Sequence, residues 1–104
     1  AFIEALKKRD PNAVANYASV GAWDGMVVIH KMIEATGGQR DGAKALAAAR
    51  TLSWESPRGP VSIDPKTRHI TQNVYLRKVE KAGPVLVNKE VQSFGAHGDH
   101  GLEK

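Results

Sequence analysis

The feature that most restricts how this chain can fold is an apolar helix predicted over residues 20–36. At 100° per residue its polar members fall within an arc of roughly 120°; they are Asp24, His30, Lys31 and Glu34. About two-thirds of the circumference is therefore apolar, and a helix of this kind packs against a sheet and neighbouring elements rather than lying alone on a surface. We accordingly predict an α/β fold in which helices pack on a few strands.

Two shorter helices accompany the long one. Residues 1–9 have a helical pattern that ends at Asp10-Pro11, because proline disfavours the helical conformation of the residue before it. Gly37-Gly38 ends the long helix, and Asp41 caps a third helix over residues 42–50. We expect this third helix to turn Ala43, Leu46 and Ala47 inward.

In the second half of the chain, β-branched residues and turn residues predict strands at residues 60–63, 72–80 and 84–91. A type I turn over residues 64–67 follows the first strand. A Gly-Pro turn joins the other two, which predicts a C-terminal antiparallel hairpin. We interpret residues 53–59 as a loop that carries Trp54 and residues 95–104 as a flexible tail.

Composition sets further limits. The 104 residues fit one ordinary domain, and the absence of cysteine excludes disulfides, thiolate zinc sites and cysteine nucleophiles. No run of eighteen apolar residues is present, which argues against a membrane-spanning helix. Since the chain has no initiator methionine and opens within a helical pattern, we expect it to be part of a longer protein.

The net charge of +4 comes from one region, residues 66–81. Its basic members are Lys66, Arg68, Arg77, Lys78 and Lys81. They could form a patch that contacts phosphates, as in a small nucleic-acid-binding module. They could equally be solvated side chains that keep an edge strand from pairing with neighbours. We favour the second interpretation, because no known nucleic-acid motif surrounds them.

The sequence contains few residues that could form a catalytic or metal site. His97, Asp99 and His100 could ligate a metal, but flanking glycines make ordering of the segment costly, so we predict no metal site and no cofactor. The chain has no nucleophile elbow and no paired-histidine motif around His30. We therefore predict that it is not an enzyme.

Three aromatic side chains are the best candidates for a small-molecule site. Tyr17, Trp23 and Trp54 could line an apolar pocket. They could also anchor the core and a loop, and we favour this structural role on residue type alone.

The order of motifs, however, resembles a known family. Gly21-Ala22-Trp23-Asp24-Gly25 is similar to a GYDA element at the start of a long helix, with Trp23 in place of tyrosine. The stretch from Gly59 to Asp64 resembles a G-P-hydrophobic-x-hydrophobic-D element, followed by the Val74-Tyr75-Leu76 strand. Together they resemble the C-terminal portion of branched-chain amino-acid-type, leucine-binding-protein-like periplasmic solute-binding proteins of ABC transporters, over residues 1–94.

The resemblance implies a fragment of a type I periplasmic binding protein fold, whose two α/β lobes close around a solute. It implies a receptor without catalysis or cofactor that delivers branched-chain amino acids or related small carboxylates to the membrane subunits of an ABC importer. Tyr17 and Trp23 would lie nearest the cleft as candidate ligand-binding residues, and a tryptophan there could accompany an aromatic solute. The resemblance also implies a periplasmic location, with a signal peptide in the part that precedes this segment.

Two alternatives remain open from the sequence. One is the small basic nucleic-acid-binding module, and the other is a ligand-binding sensory domain of the same fold, because fold does not determine function. We also expect the fragment to self-associate, since the helix over residues 20–36 has more apolar surface than the remaining elements can cover.

Overall fold

The computed structural model describes residues 1–98 and has three helices followed by four strands. The helices are α1 (Phe2–Arg9), α2 (Tyr17–Thr36) and α3 (Gly42–Ala49). The strands are β1 (Ser53–Ser56), β2 (Gly59–Ile63), β3 (Ile70–Ala82) and β4 (Val85–His97). They form one antiparallel sheet in the order β1-β2-β3-β4, so the predicted α/β class and C-terminal hairpin are confirmed.

Local capping explains where the long helix begins and ends. The Asn16 side chain accepts a hydrogen bond from the Ser19 backbone N–H at 3.0 Å, and the Ser19 hydroxyl accepts one from the Asn16 N–H at 3.0 Å. This reciprocal pair satisfies two donors that would otherwise be free, so α2 starts three residues before the predicted residue 20. Gly37 ends the helix at a φ of 63°, a left-handed conformation that glycine adopts readily.

The predicted inward face of α3 is wrong. Asp41 does cap the helix through the Lys44 N–H at 3.0 Å, but Ala43, Leu46 and Ala47 are exposed. The partly buried residues are instead Ala45, Ala48 and Ala49. In a helix of eight residues that are mostly alanine, hydrophobic periodicity is a weak guide, and the small alanine side chains allow this face to approach α2.

Residues 53–56 form a strand, so the predicted loop over residues 53–59 is also wrong. Trp54 pairs with Val61 and Ser56 pairs with Gly59, which makes β1 and β2 a tight hairpin. The polar composition of Ser53-Trp54-Glu55-Ser56 gives no strand signal by itself. Its pairing depends on β2, whose Val61 is the single buried hydrophobic residue in the part of the chain that the structure describes.

The two longest strands form a ribbon that extends beyond the rest of the sheet. β2 pairs with β3 only over residues 70–72, whereas β4 follows β3 from Ala82 back to Gln72 with two bulges. Every residue of β4 is exposed. The strand also continues to His97, so residues 95–97 of the predicted tail lie in the ribbon, and residues 99–104 fall outside the described residues.

The described residues hardly form a core. The radius of gyration is 16.4 Å, against about 13 Å for a compact domain of 100 residues. On α2 the side chains of Met26, Ile29 and Ile33 are 47–52% exposed. The apolar surface predicted for this helix is therefore real, and the described elements leave much of it uncovered. No helix in this part of the chain has the length and apolarity needed to cross a membrane.

Candidate functional site

A buried polar site joins α2 to the β1–β2 hairpin through the carboxylate of Asp24, which is only 2% exposed. Trp54 donates its indole N–H to Oδ1 at 3.0 Å, and Ser56 donates its hydroxyl to Oδ2 at 2.7 Å. Arg58 contacts Oδ2 with Nε at 3.1 Å and Nη2 at 2.9 Å. We call these four residues the Asp24 cluster. A buried carboxylate is costly unless it is paired in this way.

The local structure of the hairpin brings these donors together. Trp54 and Ser56 are two residues apart on β1, so their side chains lie on the same face of the strand. Arg58 lies in the turn, where its backbone N–H donates to the Ser56 hydroxyl at 3.3 Å. The cluster thus follows from strand alternation plus a two-residue turn.

A second set of contacts holds the turn to β3. Tyr75 on β3 donates its hydroxyl to the Arg58 carbonyl at 2.8 Å, and the Asn73 amide donates to the Tyr75 hydroxyl at 3.2 Å. The next residue, Gly59, has a φ of 99°, and a Cβ added there would lie 2.6 Å from the Tyr75 oxygen. Arg58 is consequently fixed by its main chain to β3 and by its guanidinium to α2.

The residue pattern alone does not reveal this cluster. In that pattern Asp24 is one of the polar residues of the long helix, and Trp54 lies in a loop or lines a pocket. One signal was available: Asp24 interrupts the apolar run of the helix between Trp23 and Met26. Its partners lie 30 to 34 residues further along the chain, and no local pattern connects them.

The two candidate ligand-binding residues lie apart from each other on α2. Trp23 packs edge-to-face on Phe2 of α1, with ring centroids 5.4 Å apart, and is 39% exposed. Tyr17 is the first residue of α2 and is 93% exposed. Six residues of helix separate them by about 9 Å along the axis and about 120° around it. Within this segment they therefore do not line one common pocket.

Trp23 does line an apolar groove between α1 and α2, with a volume of about 830 Å³. The groove is walled mainly by Phe2, Leu6, Met26 and Val27, and Arg9, Ser19 and His30 are its polar members.

The five basic residues of the alternative nucleic-acid interpretation do not form one patch. Lys66 and Arg68 lie in the turn before β3, while Lys81 lies near its far end, about 35 Å away at the rise of an extended strand. Arg77 and Lys78 are consecutive strand residues, so they point to opposite faces of the ribbon.

The possible metal ligands are only partly described. Nε2 of His97 lies 3.1 Å from the Phe94 carbonyl oxygen, whereas Asp99 and His100 fall outside the described residues. Among residues 1–98 no group of three or more metal-ligating side chains comes together.

Comparison with known proteins gives a consistent result. The sequence profile of a family described as "Periplasmic binding protein" matches residues 1–84. Proteins called Leu/Ile/Val-binding protein homolog 6, from Brucella abortus (strain 2308) and Brucella suis biovar 1 (strain 1330), are each 57% identical over 104 residues. The match covers 98% of this chain but 27% of each relative, so the chain spans about a quarter of their length.

Three solved structures of ABC transporter solute-binding proteins from Rhodopseudomonas palustris are also similar. One from strain HaA2, in complex with p-hydroxybenzoic acid, is 59% identical with a TM-score of 0.77 over 82% of this chain and 23% of that one. A second, with 4-hydroxybenzoate, is 53% identical with a TM-score of 0.82 over 91% and 27%. A third, from strain BisB5 with 3,4-dihydroxybenzoic acid, is 44% identical with a TM-score of 0.90 over 96% and 27%.

Proposed function

Because this chain belongs to the periplasmic binding protein family, a family of non-enzymatic solute receptors, we propose that it is part of a receptor that delivers an aromatic carboxylate to an ABC importer. The observation that carries the proposal is the ligand of the solved relatives. Each of the three structures, at 44–59% identity, is a complex with a hydroxybenzoic acid.

Branched-chain amino acids are the second candidate solute, since the Brucella relatives are called Leu/Ile/Val-binding protein homologs. The two solute classes require different sites. An amino acid needs acceptors for its ammonium group as well as donors for its carboxylate. A hydroxybenzoate needs donors for its carboxylate, a partner for its hydroxyl and flat apolar walls for its ring.

Within the receptor, Tyr17 and Trp23 are proposed to contact the solute. Both are large aromatic side chains that the described elements leave exposed, by 93% and 39% respectively. Aromatic rings stack favourably in offset or edge-to-face geometry. A tryptophan where the family pattern has tyrosine fits a ring-shaped solute better than an aliphatic one.

The receptor is proposed to act in the periplasm and to pass its solute to the membrane subunits of the importer. Binding would shift it towards a closed arrangement of two lobes, because the solute contacts both lobes only when they are closed. Disruption of the gene should then abolish uptake of labelled 4-hydroxybenzoate by intact cells, and unchanged uptake would contradict this role.

The solute class is tested by titration calorimetry on the full-length receptor that contains this segment. 4-Hydroxybenzoate and 3,4-dihydroxybenzoate are compared with leucine, isoleucine and valine. We expect one binding site for the hydroxybenzoates and no heat from the amino acids at the same concentrations. The reverse preference would show that the proposed solute class is wrong.

The same titration tests the proposed contacts. We expect Trp23→Ala to weaken hydroxybenzoate binding at least tenfold, because it removes an aromatic wall of the site. Phe94→Ala on β4 is the matched control, since it deletes another half-exposed aromatic ring, and should leave the affinity unchanged. Equal affinities of the Trp23→Ala variant and the wild type would overturn the assignment of Trp23.

A further inference from the structure

α2 is attached to the sheet through very few groups. Only Asp24 and Thr36 of its twenty residues are buried, and Thr36 donates its hydroxyl to Ile33 within the same helix at 3.1 Å. Among the described residues, the side-chain hydrogen bonds that join α2 to the β1–β2 hairpin all end on Asp24. Side-chain hydrogen bonding between α2 and the hairpin is consequently concentrated at one residue.

The geometry of the helix connects this residue to both candidate solute contacts. Trp23 directly precedes Asp24, about 100° around the axis. Tyr17 precedes it by seven residues, which places the two on nearly the same face, about 10 Å apart along the axis. A rotation or shift of α2 at Asp24 would therefore displace both aromatic side chains at once.

Arg58, on the hairpin side of this attachment, is itself held by several contacts. Nε and Nη2 of Arg58 both contact the same carboxylate oxygen, Oδ2, and such charge-assisted contacts are stronger than those between neutral groups. Its carbonyl accepts from Tyr75, and Gly59 leaves just enough room for the Tyr75 hydroxyl. A continuous path of contacts thus runs from β3 through Arg58 to α2.

From these contacts we infer that Asp24 is a positioning residue for solute binding. Through Trp54, Ser56 and Arg58 it fixes the orientation in which α2 presents Tyr17 and Trp23, and it does not contact the solute itself. The inference rests on the proposed function, because it needs an aromatic side chain of this helix, Tyr17 or Trp23, to face the solute.

The test uses the full-length receptor and compares three variants with the wild type: Asp24→Asn, Arg58→Gln and the double variant. Dissociation constants for 4-hydroxybenzoate are measured at a temperature at which circular dichroism shows each variant to be folded. We expect each single variant to weaken binding tenfold or more. The dissociation constant of the double variant should be no higher than that of the single variant that binds more weakly. The reason is that the effects of residues that act as a unit are not additive.

Asp41→Asn is the matched control. It makes the same chemical change at an exposed helix cap, where asparagine caps as well as aspartate, and it should leave the dissociation constant unchanged. Hydrogen exchange over residues 17–23 in the solute-free receptor supplies a second measurement. Exchange should become faster in Asp24→Asn but not in Asp41→Asn.

A purely structural role gives a different result. In that case the melting temperature of Asp24→Asn falls while the dissociation constant of the folded protein is unchanged, and the inference is overturned. If Asp24→Asn does not fold, Ser56→Ala and Trp54→Phe each delete one hydrogen bond to the same carboxylate and replace it in the comparison. If the wild type binds leucine instead, only the proposed solute class fails, and the variants are compared with leucine.

Discussion

At the scale of single residues, the turn between β2 and β3 contains a strained backbone position. Arg68 has a φ of 65°, the left-handed region in which residues with a Cβ are disfavoured. Its backbone N–H donates to the Asp64 carbonyl at 2.8 Å, so the conformation is required to close the turn. Arg68 therefore has a backbone conformation that its residue type disfavours.

We expect Arg68→Gly to stabilise the receptor by about 0.5–1 kcal/mol, because glycine adopts positive φ without steric cost. Lys66→Gly in the same turn is the control: its φ is not positive, so the added chain flexibility should destabilise it slightly. Urea unfolding at equilibrium measures both changes. A lower free energy of unfolding for Arg68→Gly would contradict the prediction.

Asp64 in the same turn predicts a dependence of stability on pH. The backbone N–H groups of Thr67 and Lys66 hydrogen-bond its carboxylate, at 2.9 and 2.7 Å, and lower the pKa of Asp64 below its usual value. A carboxyl group with a lowered pKa in the folded state stabilises the fold above its unfolded pKa, and the contribution is lost as the pH falls through the folded value.

We therefore expect the difference in unfolding free energy between wild type and Asp64→Asn to shrink as the pH is lowered below about 4. Chemical denaturation at pH 7 and at steps down to pH 3 measures this difference. Asp41→Asn provides the comparison. A difference that stays constant over the whole pH range would show that this carboxylate does not contribute.

At the scale of elements, the β1–β2 hairpin depends on a close approach between two strands. The Gly59 backbone passes so near the Tyr75 hydroxyl that any side chain would collide with it. The same hydroxyl holds the Arg58 carbonyl at 2.8 Å, so the clash would displace the turn that carries the Asp24 cluster.

We expect Gly59→Ala to destabilise the receptor by about 2 kcal/mol or more, from the overlap together with a φ of 99°. Tyr75→Phe in the same protein removes the clashing oxygen. The double variant should consequently lose less stability than the sum of the two single changes. Thermal and urea unfolding of the wild type, the two single variants and the double variant measures these losses of stability. If the two single losses simply add in the double variant, the close approach to Tyr75 is not the reason that Gly59→Ala is destabilised.

At the scale of the whole molecule, the described residues expose a large apolar surface. Besides α2, the side chains of Leu86, Val91 and Phe94 on β4 are 52–70% exposed. Uncovered side chains of this size each forgo roughly 1.5–3 kcal/mol, and a few of them equal the whole stability of a small domain. In the longer relatives the additional three-quarters of the chain is available to cover such surfaces.

We predict that residues 1–104 expressed alone self-associate, through an interface that includes α2. Light scattering after size exclusion over a series of concentrations measures the mass. Ile29→Lys combined with Ile33→Lys, on the exposed part of the helix, should reduce association. An 11.2 kDa monomer at every concentration would contradict the prediction.

We also predict that the isolated segment binds neither hydroxybenzoates nor amino acids with useful affinity. Its two candidate contact residues point about 120° apart on α2, and half of a cleft cannot exclude water from a charged carboxylate. Calorimetry on the segment, beside the full-length receptor as a positive control, should show no heat of binding. Micromolar binding by the segment would place a complete site within these residues.

Features whose contacts are local could be predicted from the residue pattern. The cap at Asp41, the helix end at Gly37 and the turn at Asp64 all involve groups within a few residues, so residue type predicted them. Residue type alone did not reveal the face of α3, the strand at residues 53–56 or the Asp24 cluster. The partners of Asp24 lie 30 to 34 residues away, outside any local window. β1 pairs with β2 only three to nine residues along the chain, but its mostly polar residues carry no strand pattern of their own. A buried carboxylate is stable only when its partners surround it in three dimensions, and a hydrophobic pattern does not record them.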